Sequence, residues 1–139
     1  MNLRHRVGQG IDFHRLEEGR ELWLGGVHVV SDRGCVAHSD GDVLIHAICD
    51  ALLGAAGLND IGTYFPDTSE EFRGIDSKIL LKRTVDMIKE KGYRIVNIDS
   101  TLCLETPRIA SYISSMRTTM SAIAEISPDA MTVKATTTE

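Results

Sequence analysis

The sequence predicts a single α+β domain, close to α/β in character, in which helices cover one mixed β-sheet. Its 139 residues are enough for one hydrophobic core and too few for two, so we expect residues 1–139 to form one domain. Hydrophobic residues make up 42% and charged residues 25%, which is typical of a globular protein. Strand-like and helix-like segments alternate along the chain, as they do where helices cover a sheet.

Five segments have the composition of strands, and two of them are joined by a turn. The pair Gly25-Gly26 separates the second segment from the third and predicts a hairpin. In the first segment, Gly8 and Gly10 permit a neighbouring backbone to approach closely. The predicted strands are residues 6–13, 21–24, 27–30, 93–104 and 131–135.

Three other segments have the pattern of helices. The first is so apolar that we expect it to be buried on more than one side. Ser39 is its predicted N-cap, and Asp42 three residues later completes a capping box. Gly92 stops the second helix, and Pro107 opens the third. The predicted helices span residues 40–56, residues 77–91 and the segment that follows Pro107.

The segment between the first two helices predicts a long loop. Residues 57–76 carry Gly57, Gly62, Pro66 and Gly74 together with several acids. Loops of this length are uncommon in a compact domain unless they serve a function. We therefore expect this loop to contribute to a functional site.

The charge and the cysteines limit the functions that the chain can have. Its formal net charge is −5 and it has no basic run, so nucleic acid is a poor candidate for a partner. Cys35, Cys49 and Cys103 form no C-x-x-C pair, which argues against a disulfide framework and fits a reducing cytosol. No apolar run is long enough for a membrane span, so no membrane is expected. The first residues, MNLRHRVGQG, lack the apolar stretch of a signal peptide. A bacterial cytoplasm fits these features, and a plastid stroma stays open.

Three side chains of metal-ligand type stand at informative positions. Asp12 and His14 lie two residues apart, which places both side chains on one face of a strand. His46 lies in the apolar first helix, on one stripe with Asp42 and Asp50, and either acid could orient its ring. Two histidines and one carboxylate leave one position open, the pattern of a catalytic zinc site. A core histidine that is merely hydrogen-bonded to Asp42 or Asp50 is the alternative reading.

Several long motifs resemble those of one enzyme family. The stretch AHSDGDVLIHAICDALLGAAGLNDIGTYFPDT is very similar to the signature of the 2-C-methyl-D-erythritol 2,4-cyclodiphosphate synthases. GQGIDFH resembles the opening motif of that family, and VKATTTE resembles its run near the C-terminus. The similarity begins at about Arg6 and extends to Glu139.

The resemblance implies an enzyme of mevalonate-independent isoprenoid synthesis that works as a homotrimer with active sites between subunits. The implied substrate is 4-diphosphocytidyl-2-C-methyl-D-erythritol 2-phosphate, and the implied products are the cyclic diphosphate and CMP. Zinc, or another divalent transition metal, is implied at Asp12, His14 and His46. A magnesium or manganese ion that bridges the diphosphate is implied at Glu139.

The resemblance also implies roles for residues outside the metal site. His38 and Ser39 match positions that contact phosphate, and His38 together with Thr137 is implied to stabilise the transition state. Phe13 stands between the two ligands of the first motif and is expected to contact substrate. The methylerythritol group is implied to contact Asp60, Ile61, Gly62, Phe65, Pro66, Asp67, Thr68 and Ser69. The cytidine pocket and further phosphate contacts are implied at Leu104, Glu105, Thr106, Pro107, Arg108, Ile109, Ala110, Thr136, Thr137, Thr138 and Glu139.

The implied chemistry is compatible with an acidic chain, because bound metal ions can neutralise the negative charge of the substrate. A phosphate oxygen attacks the β-phosphorus and CMP leaves, so the reaction needs no protein nucleophile. The positive end of a helix that begins near Ser39 is expected to face phosphate. The family continues beyond the TTTE run through a glycine-rich segment and a closing strand, so we expect a C-terminal segment to be missing here. A metal-dependent phosphohydrolase and a non-catalytic trimeric binding module are the alternatives.

Overall fold

The computed structural model describes residues 5–139, in which short strands alternate with four helices. The strands are β1 (Leu16–Glu18), β2 (Leu22–Leu24), β3 (Val27–Val29), β4 (Arg33–Cys35), β5 (Ile98–Cys103) and β6 (Met131–Thr136). The helices are α1 (Val43–Ala55), α2 (Ile61–Tyr64), α3 (Ser77–Glu90) and α4 (Ile113–Ala124). Short 3-10 turns cover Glu70–Phe72, Ala110–Tyr112 and Pro128–Ala130. The α+β class is confirmed.

The prediction of one mixed sheet is wrong for the described residues, where the strands form three separate pairs. β1 pairs with β4 and β2 pairs with β3, both antiparallel, while β5 and β6 are parallel. The hairpin around Gly25-Gly26 is confirmed. Parallel neighbouring strands need a long crossover connection, and α4 provides it between β5 and β6. α4 also packs on β6. Residues 6–13, predicted as the first strand, form no strand.

Residues 6–13 instead lie extended along α1. A Cβ atom built on Gly8 would stand 1.8 Å from the carbonyl oxygen of Ala51, and one on Gly10 would stand 1.8 Å from that of Ala47. Only glycine permits so close an approach of two backbones. The close approach predicted for these glycines is therefore confirmed, with a helix as the neighbour. This contact determines where the following residues, Asp12 and His14, can lie.

We expect the Gly10→Ala variant to lose stability and to bind zinc more weakly. Its methyl group would overlap the Ala47 carbonyl, and relief requires the segment to move away from α1, at a cost of about 1–3 kcal/mol. Asp12 lies two residues further along and would move too. Urea unfolding and a zinc titration measure the two effects.

Gly54→Ala is the control, because nothing lies within 4 Å of the Cβ built there. In that helical position alanine should add about 0.5–1 kcal/mol of stability. Unchanged stability of Gly10→Ala would contradict the contact.

α1 is buried on more than one side, as its composition predicted. Leu44, Ile48 and other apolar residues of α1 face the core, which α3 and α4 share. Another face carries Ala47 and Ala51, against which Gly8 and Gly10 pack. Small residues are needed there because backbone meets backbone. The fully buried large side chains elsewhere in the core include Leu22, Leu24, Leu81, Met116, Met120 and Met131.

The start of α1 differs from the prediction. Its N-cap is Asp42, whose carboxylate accepts a hydrogen bond from the Ile45 N–H, and the helix begins at Val43. Ser39 lies before the helix and does not cap it. Asp42, which lies three residues after Ser39 in the expected capping box, is itself the cap. Aspartate is among the best caps because its short carboxylate reaches the free N–H groups.

The second predicted helix is confirmed at both ends, whereas the third begins later than predicted. α3 ends at Glu90, and Gly92 follows with a positive φ of 83°, so the stop at Gly92 is confirmed. α4 begins at Ile113, six residues after Pro107, which lies in the segment before it. Ile109 turns into the core at 3% exposure, which separates Pro107 from the helix. The predicted long loop of residues 57–76 contains α2 and one 3-10 turn.

Candidate metal centre

Asp12, His14 and His46 come together at the junction of the N-terminal segment and α1. One ligand atom from each of these residues lies within 4.8 Å of the other two. Asp12 and His14 project from the extended segment that Gly8 and Gly10 hold against α1, and His46 projects from the first turn of that helix. The three residues that spacing alone suggested are thus one cluster, although 32 positions separate His14 from His46.

The distances in this cluster fit a tetrahedral metal. The Asp12 Oδ2 atom lies 2.9 Å from His14 Nε2 and 3.3 Å from His46 Nδ1. The two histidine nitrogens are 3.1 Å apart. Ligand atoms about 2.0–2.1 Å from a tetrahedral zinc ion are about 3.3 Å from one another, which is close to all three distances. Three nitrogen and oxygen donors with a free fourth position are suited to a catalytic zinc site.

Each imidazole ring has a hydrogen-bond partner on the side away from the cluster. His14 Nδ1 lies 3.3 Å from the Val36 carbonyl oxygen, so Nδ1 carries a proton, and when His14 is neutral its Nε2 presents a lone pair to the cluster. His46 Nε2 contacts two hydroxyl groups, those of Ser39 at 3.2 Å and Ser77 at 2.9 Å. Both rings therefore have a partner on the nitrogen that faces away from the cluster.

Neither acid that was predicted to orient His46 does so. The Asp42 carboxylate accepts hydrogen bonds from the N–H groups of Gly25, Gly26 and Ile45, and it is fully buried. The Asp50 carboxylate accepts a hydrogen bond from the Ile61 N–H at 2.8 Å. The stripe on α1 was correctly identified, but both acids are engaged by backbone donors from other segments.

The cluster has strongly shifted acidities. Burial opposes the ionisation of Asp12, but hydrogen bonds and charge interactions with His14 and His46 outweigh it and hold the pKa of Asp12 far below its ordinary value. The hydrogen bond to Asp12 is the main cause that raises the pKa of His14 above its ordinary value of 6.5. Without a metal, the site therefore favours an ionised Asp12 and a protonated His14.

We expect zinc affinity to fall steeply as the pH falls. Zinc needs neutral His14, and the raised pKa means that the proton leaves His14 only at a pH higher than for a free imidazole. Below that pKa, affinity should drop about tenfold for each pH unit, so binding at about pH 6 should be clearly weaker than at about pH 8. Competition with a chromophoric chelator measures this. The variant His28→Gln, outside the cluster, should keep the same dependence, whereas an affinity independent of pH would contradict the prediction.

Of the two residues implied to contact phosphate in this part of the chain, Ser39 lies beside the cluster. Ser39 reaches His46, as described, and its oxygen also accepts a hydrogen bond from the Gly41 N–H. His38 Nε2 lies 2.7 Å from the Ser69 carbonyl oxygen, which makes Nε2 the protonated nitrogen and leaves Nδ1 free. The Gly74 N–H donates to the His38 carbonyl at 2.7 Å. His38 is therefore held between two points of the segment that follows α2.

The segment implied to hold methylerythritol is anchored at its far end. Its residues from Asp60 to Ser69 are exposed or half-buried, and Asp60 caps α2 through the Thr63 N–H. Phe72 is buried and meets Phe65 edge to face, with ring centroids 5.5 Å apart. The Arg83 guanidinium of α3 lies over the Phe72 ring. This anchoring leaves the polar part of the segment accessible.

The residues implied for cytidine form a second group. The Leu104 N–H donates to the Thr136 carbonyl at 2.9 Å, so the segments after β5 and β6 leave the parallel pair side by side. Most of their residues are exposed, while Ile109 is in the core. Within residues 5–139, no hydrogen bond or ion pair joins this group to Asp12, His14 or His46. The structure thus brings Ser39 to the metal residues, and separately places the two cytidine segments side by side.

Two clefts lie near these groups. One of about 420 Å³ includes Ser39 and Asp40 in its wall, with Arg20 and Trp23 opposite. A larger one of about 820 Å³ runs between residues 5–8, α1 and residues 92–99, and neither cleft has Asp12, His14 or His46 in its wall. The smaller cleft is the relevant one, because it adjoins the contacts of His46.

Two contact residues of the site escaped sequence reasoning. Ser77 and Asp40 stand behind His46, and Ser77 is 31 residues away from it in the chain. The only signal was that Ser77 opens a predicted helix, which indicates a place in the helix start rather than a ligand contact. Cys35 and Cys49 are poor candidates for a nucleophile, because burial raises the pKa of Cys35 to about 11 and that of Cys49 to about 12. No helix within the described residues has both the length and the apolar character needed to cross a membrane.

Comparison with known sequences gives a consistent result. The chain matches the YgbB family over residues 5–139. A protein of Bacteroides thetaiotaomicron named 2-C-methyl-D-erythritol 2,4-cyclodiphosphate synthase is 54% identical over 137 residues, which are 99% of this chain and 86% of that protein. A protein of the same name from Syntrophobacter fumaroxidans is 54% identical over 134 residues, covering 96% and 84% of the two chains.

Solved structures resemble the fold closely. A 2C-methyl-D-erythritol-2,4-cyclodiphosphate synthase in a CDP-bound form is 37% identical with a TM-score of 0.90, covering 96% of this chain and 89% of that one. The bifunctional IspDF of Campylobacter jejuni is 40% identical with a TM-score of 0.92, and this chain covers 36% of its length. A CDP complex of IspF from Plasmodium falciparum is 34% identical with a TM-score of 0.81, covering 96% and 82% of the two chains.

Proposed function

Because the chain belongs to the YgbB family, we propose that Asp12, His14 and His46 form the metal site of a 2-C-methyl-D-erythritol 2,4-cyclodiphosphate synthase. The chain is an enzyme of the mevalonate-independent pathway of isoprenoid synthesis, in line with relatives of that name at 54% identity. It converts 4-diphosphocytidyl-2-C-methyl-D-erythritol 2-phosphate to the cyclic diphosphate and CMP. The observation that carries the site assignment is the convergence of three donor atoms at distances suited to a tetrahedral metal.

The reaction is a phosphoryl transfer within one molecule. An oxygen of the 2-phosphate forms a bond to the β-phosphorus, and the bond from that phosphorus to the CMP oxygen breaks, with CMP taking the electron pair. Because two anions must meet, catalysis rests on positioning and on stabilisation of negative charge. When bound, zinc or a similar divalent metal at the cluster, and magnesium or manganese near Glu139, would polarise the diphosphate and reduce this repulsion.

The protein's own residues hold the phosphates and the reacting geometry. The Ser39 hydroxyl lies beside His46 and is placed to donate to a phosphate oxygen. His38 presents Nδ1, since the Ser69 carbonyl takes the Nε2 proton, so His38 must carry a second proton to donate to phosphate. Thr137 is proposed to stabilise the transition state together with His38 through its hydroxyl. The N-terminus of α1 is not assigned this role, because the buried Asp42 carboxylate caps it and accepts from the Ile45 N–H.

The remaining substrate contacts are proposed by family position. The accessible segment from Asp60 to Ser69 would hold the methylerythritol group, and its anchoring by Phe72 supports a stable binding surface. The adjacent segments after β5 and β6 would form the cytidine pocket, and their side-by-side arrangement supports one shared pocket. Ile109 is buried, so its contact with ligand would come from its backbone.

We also propose a homotrimer in which these two groups meet across a subunit boundary. The lack of any direct bond between the cytidine segments and the metal residues in the described chain supports a site completed by a neighbour. The large exposed side chains of Val7, Ile11 and Phe13 support burial of that segment in an assembly. Bacterial relatives support a bacterial cytoplasm as the place of action.

Phosphorus NMR of the reaction tests this function against the two alternatives. With the cytidylyl substrate, zinc and magnesium, a cyclic diphosphate and CMP should appear in equal amounts. A metal-dependent phosphohydrolase would instead release inorganic phosphate and form no ring. A binding module would bind substrate without turnover. Either of these results would overturn the proposed function, and sedimentation of the same sample would show whether the chain is a trimer.

A further inference from the structure

A chain of polar groups runs from His46 into the protein, away from the metal residues. His46 Nε2 lies 2.9 Å from the Ser77 hydroxyl oxygen, and Ser77 is fully buried. The Ser77 hydroxyl in turn contacts Asp40 Oδ1, while the Ser77 N–H donates to Asp40 Oδ2 at 2.9 Å. Asp40 Oδ1 also accepts from the Asp42 N–H at 3.1 Å. Neither Asp40 nor Ser77 has a part in the function proposed above.

The direction of these hydrogen bonds follows from their chemistry. As a carboxylate, Asp40 can only accept, so the Ser77 hydroxyl must donate its single proton to Asp40. The Ser77 oxygen then has only lone pairs left for His46, which makes His46 Nε2 the donor. A neutral imidazole that is protonated on Nε2 has its lone pair on Nδ1. Nδ1 is the atom that faces Asp12 and His14.

We propose that Asp40 and Ser77 are positioning residues that hold His46 in the tautomer able to bind a metal. This inference rests on the proposed metal site and adds two residues to it. Partners of this kind fix the ring orientation of a metal-bound histidine, and their loss commonly weakens metal binding about 10–100-fold. Here the carboxylate acts through a serine hydroxyl rather than directly.

The same series of hydrogen bonds gives Ser39 a different function from that of Ser77. Its oxygen also lies 3.2 Å from His46 Nε2, but the Nε2 atom has no lone pair to accept the Ser39 proton. The Ser39 oxygen can share the Nε2 proton and accept from the Gly41 N–H, and its own proton stays available for a ligand. Ser39 and Ser77 thus contact the same nitrogen but differ in function: Ser77 leads to a carboxylate and Ser39 to the substrate side.

The test combines zinc binding with the tautomer of His46 in the metal-free protein. Correlation of ring nitrogens with carbon-bound protons by NMR distinguishes the two tautomers, and the spectrum of His46→Gln assigns the signals. Wild type should carry the proton on Nε2. Ser77→Ala should show a mixture of tautomers and a dissociation constant for zinc that is about 10–100-fold higher. Ser77→Thr keeps the hydroxyl, so it should retain zinc affinity even if its added methyl group lowers stability.

Two control variants separate positioning from general stability. Asp76→Ala removes the N-cap of α3, which accepts from the Lys78 N–H at 2.9 Å, without touching His46. It should lower stability by about 1 kcal/mol and leave zinc affinity within about twofold of wild type. Ser39→Ala should keep the Nε2 tautomer.

The outcomes distinguish this inference from the metal site on which it rests. If Ser77→Ala binds zinc as wild type does and keeps the Nε2 tautomer, the positioning role is wrong while the metal site stands. If Asp76→Ala weakens zinc binding as much as Ser77→Ala, the effect belongs to the start of α3 and the role is also wrong. If His14→Ala binds zinc as tightly as wild type, the metal site itself fails, and the inference fails with it.

Discussion

Replacing Asp12 with alanine is expected to abolish turnover. Asp12 supplies the only carboxylate of the cluster, and its Oδ2 atom contacts both histidine nitrogens. Without it, two neutral imidazoles remain, and zinc would be held by two ligands rather than three. Since the metal contributes several kcal/mol of charge stabilisation, kcat/KM should fall at least about 10³-fold, or about 4 kcal/mol. Phosphorus NMR and zinc titration of the variant measure both losses.

Two further variants show whether the effect is specific to the site. Asp32→Ala removes an exposed acid outside the cluster and should keep wild-type activity and zinc binding. Asp12→Asn keeps the shape of the side chain and loses its charge, so it should fall between wild type and alanine. An Asp12→Ala variant that retains more than about a tenth of wild-type turnover would contradict the metal site.

Replacing Asp42 with alanine is expected to cause the largest loss of stability. The Asp42 side chain is 0% exposed and joins the turn between β2 and β3 to the start of α1. It accepts from the N–H groups of Gly25 at 2.9 Å, Gly26 at 2.7 Å and Ile45 at 3.0 Å. Alanine would leave these donors without an acceptor, at a cost of about 3–5 kcal/mol in the free energy of unfolding. Urea denaturation measures it. Asp60→Ala, which removes an exposed cap, should cost only about 1 kcal/mol, and equal losses would contradict the role of Asp42.

The same residue predicts how stability changes with pH. Burial raises the pKa of Asp42 from its ordinary value of 3.8 to about 6, although the three N–H donors oppose the change. The folded protein therefore holds this proton more tightly than the unfolded chain does. The resulting stabilisation is complete below about pH 4 and is lost as the pH rises through about 6, with a total on the order of 3 kcal/mol. Asp42→Asn cannot ionise and should show no such decline. His14, whose pKa is also raised, contributes a separate part of the stability that is lost only above about pH 6.5. That contribution should remain in Asp42→Asn.

Much of the fold could be predicted because local patterns are determined by local physics. The hairpin at Gly25-Gly26, the stop at Gly92 and the apolar first helix follow from backbone freedom and hydrophobic spacing. The errors arose where a long-range contact overrode a local preference. Ser39 has the side chain of a cap, but it faces His46, while Asp42 meets both the helix and the distant turn. Residues 6–13 have the composition of a strand, but glycine allows them to lie against α1.

The sequence by itself determined the class of the domain, the three metal-type residues and the family, because these depend on residue identity and spacing. Only the tertiary structure decided which groups orient those residues. The acids on the same helical stripe as His46 were the natural candidates, yet backbone donors engage both of them. The partner is Ser77, and behind it Asp40, brought to His46 by the packing of α1 against α3. Periodicity describes neighbours along one helix, whereas a hydrogen bond depends on which chain segments meet in space.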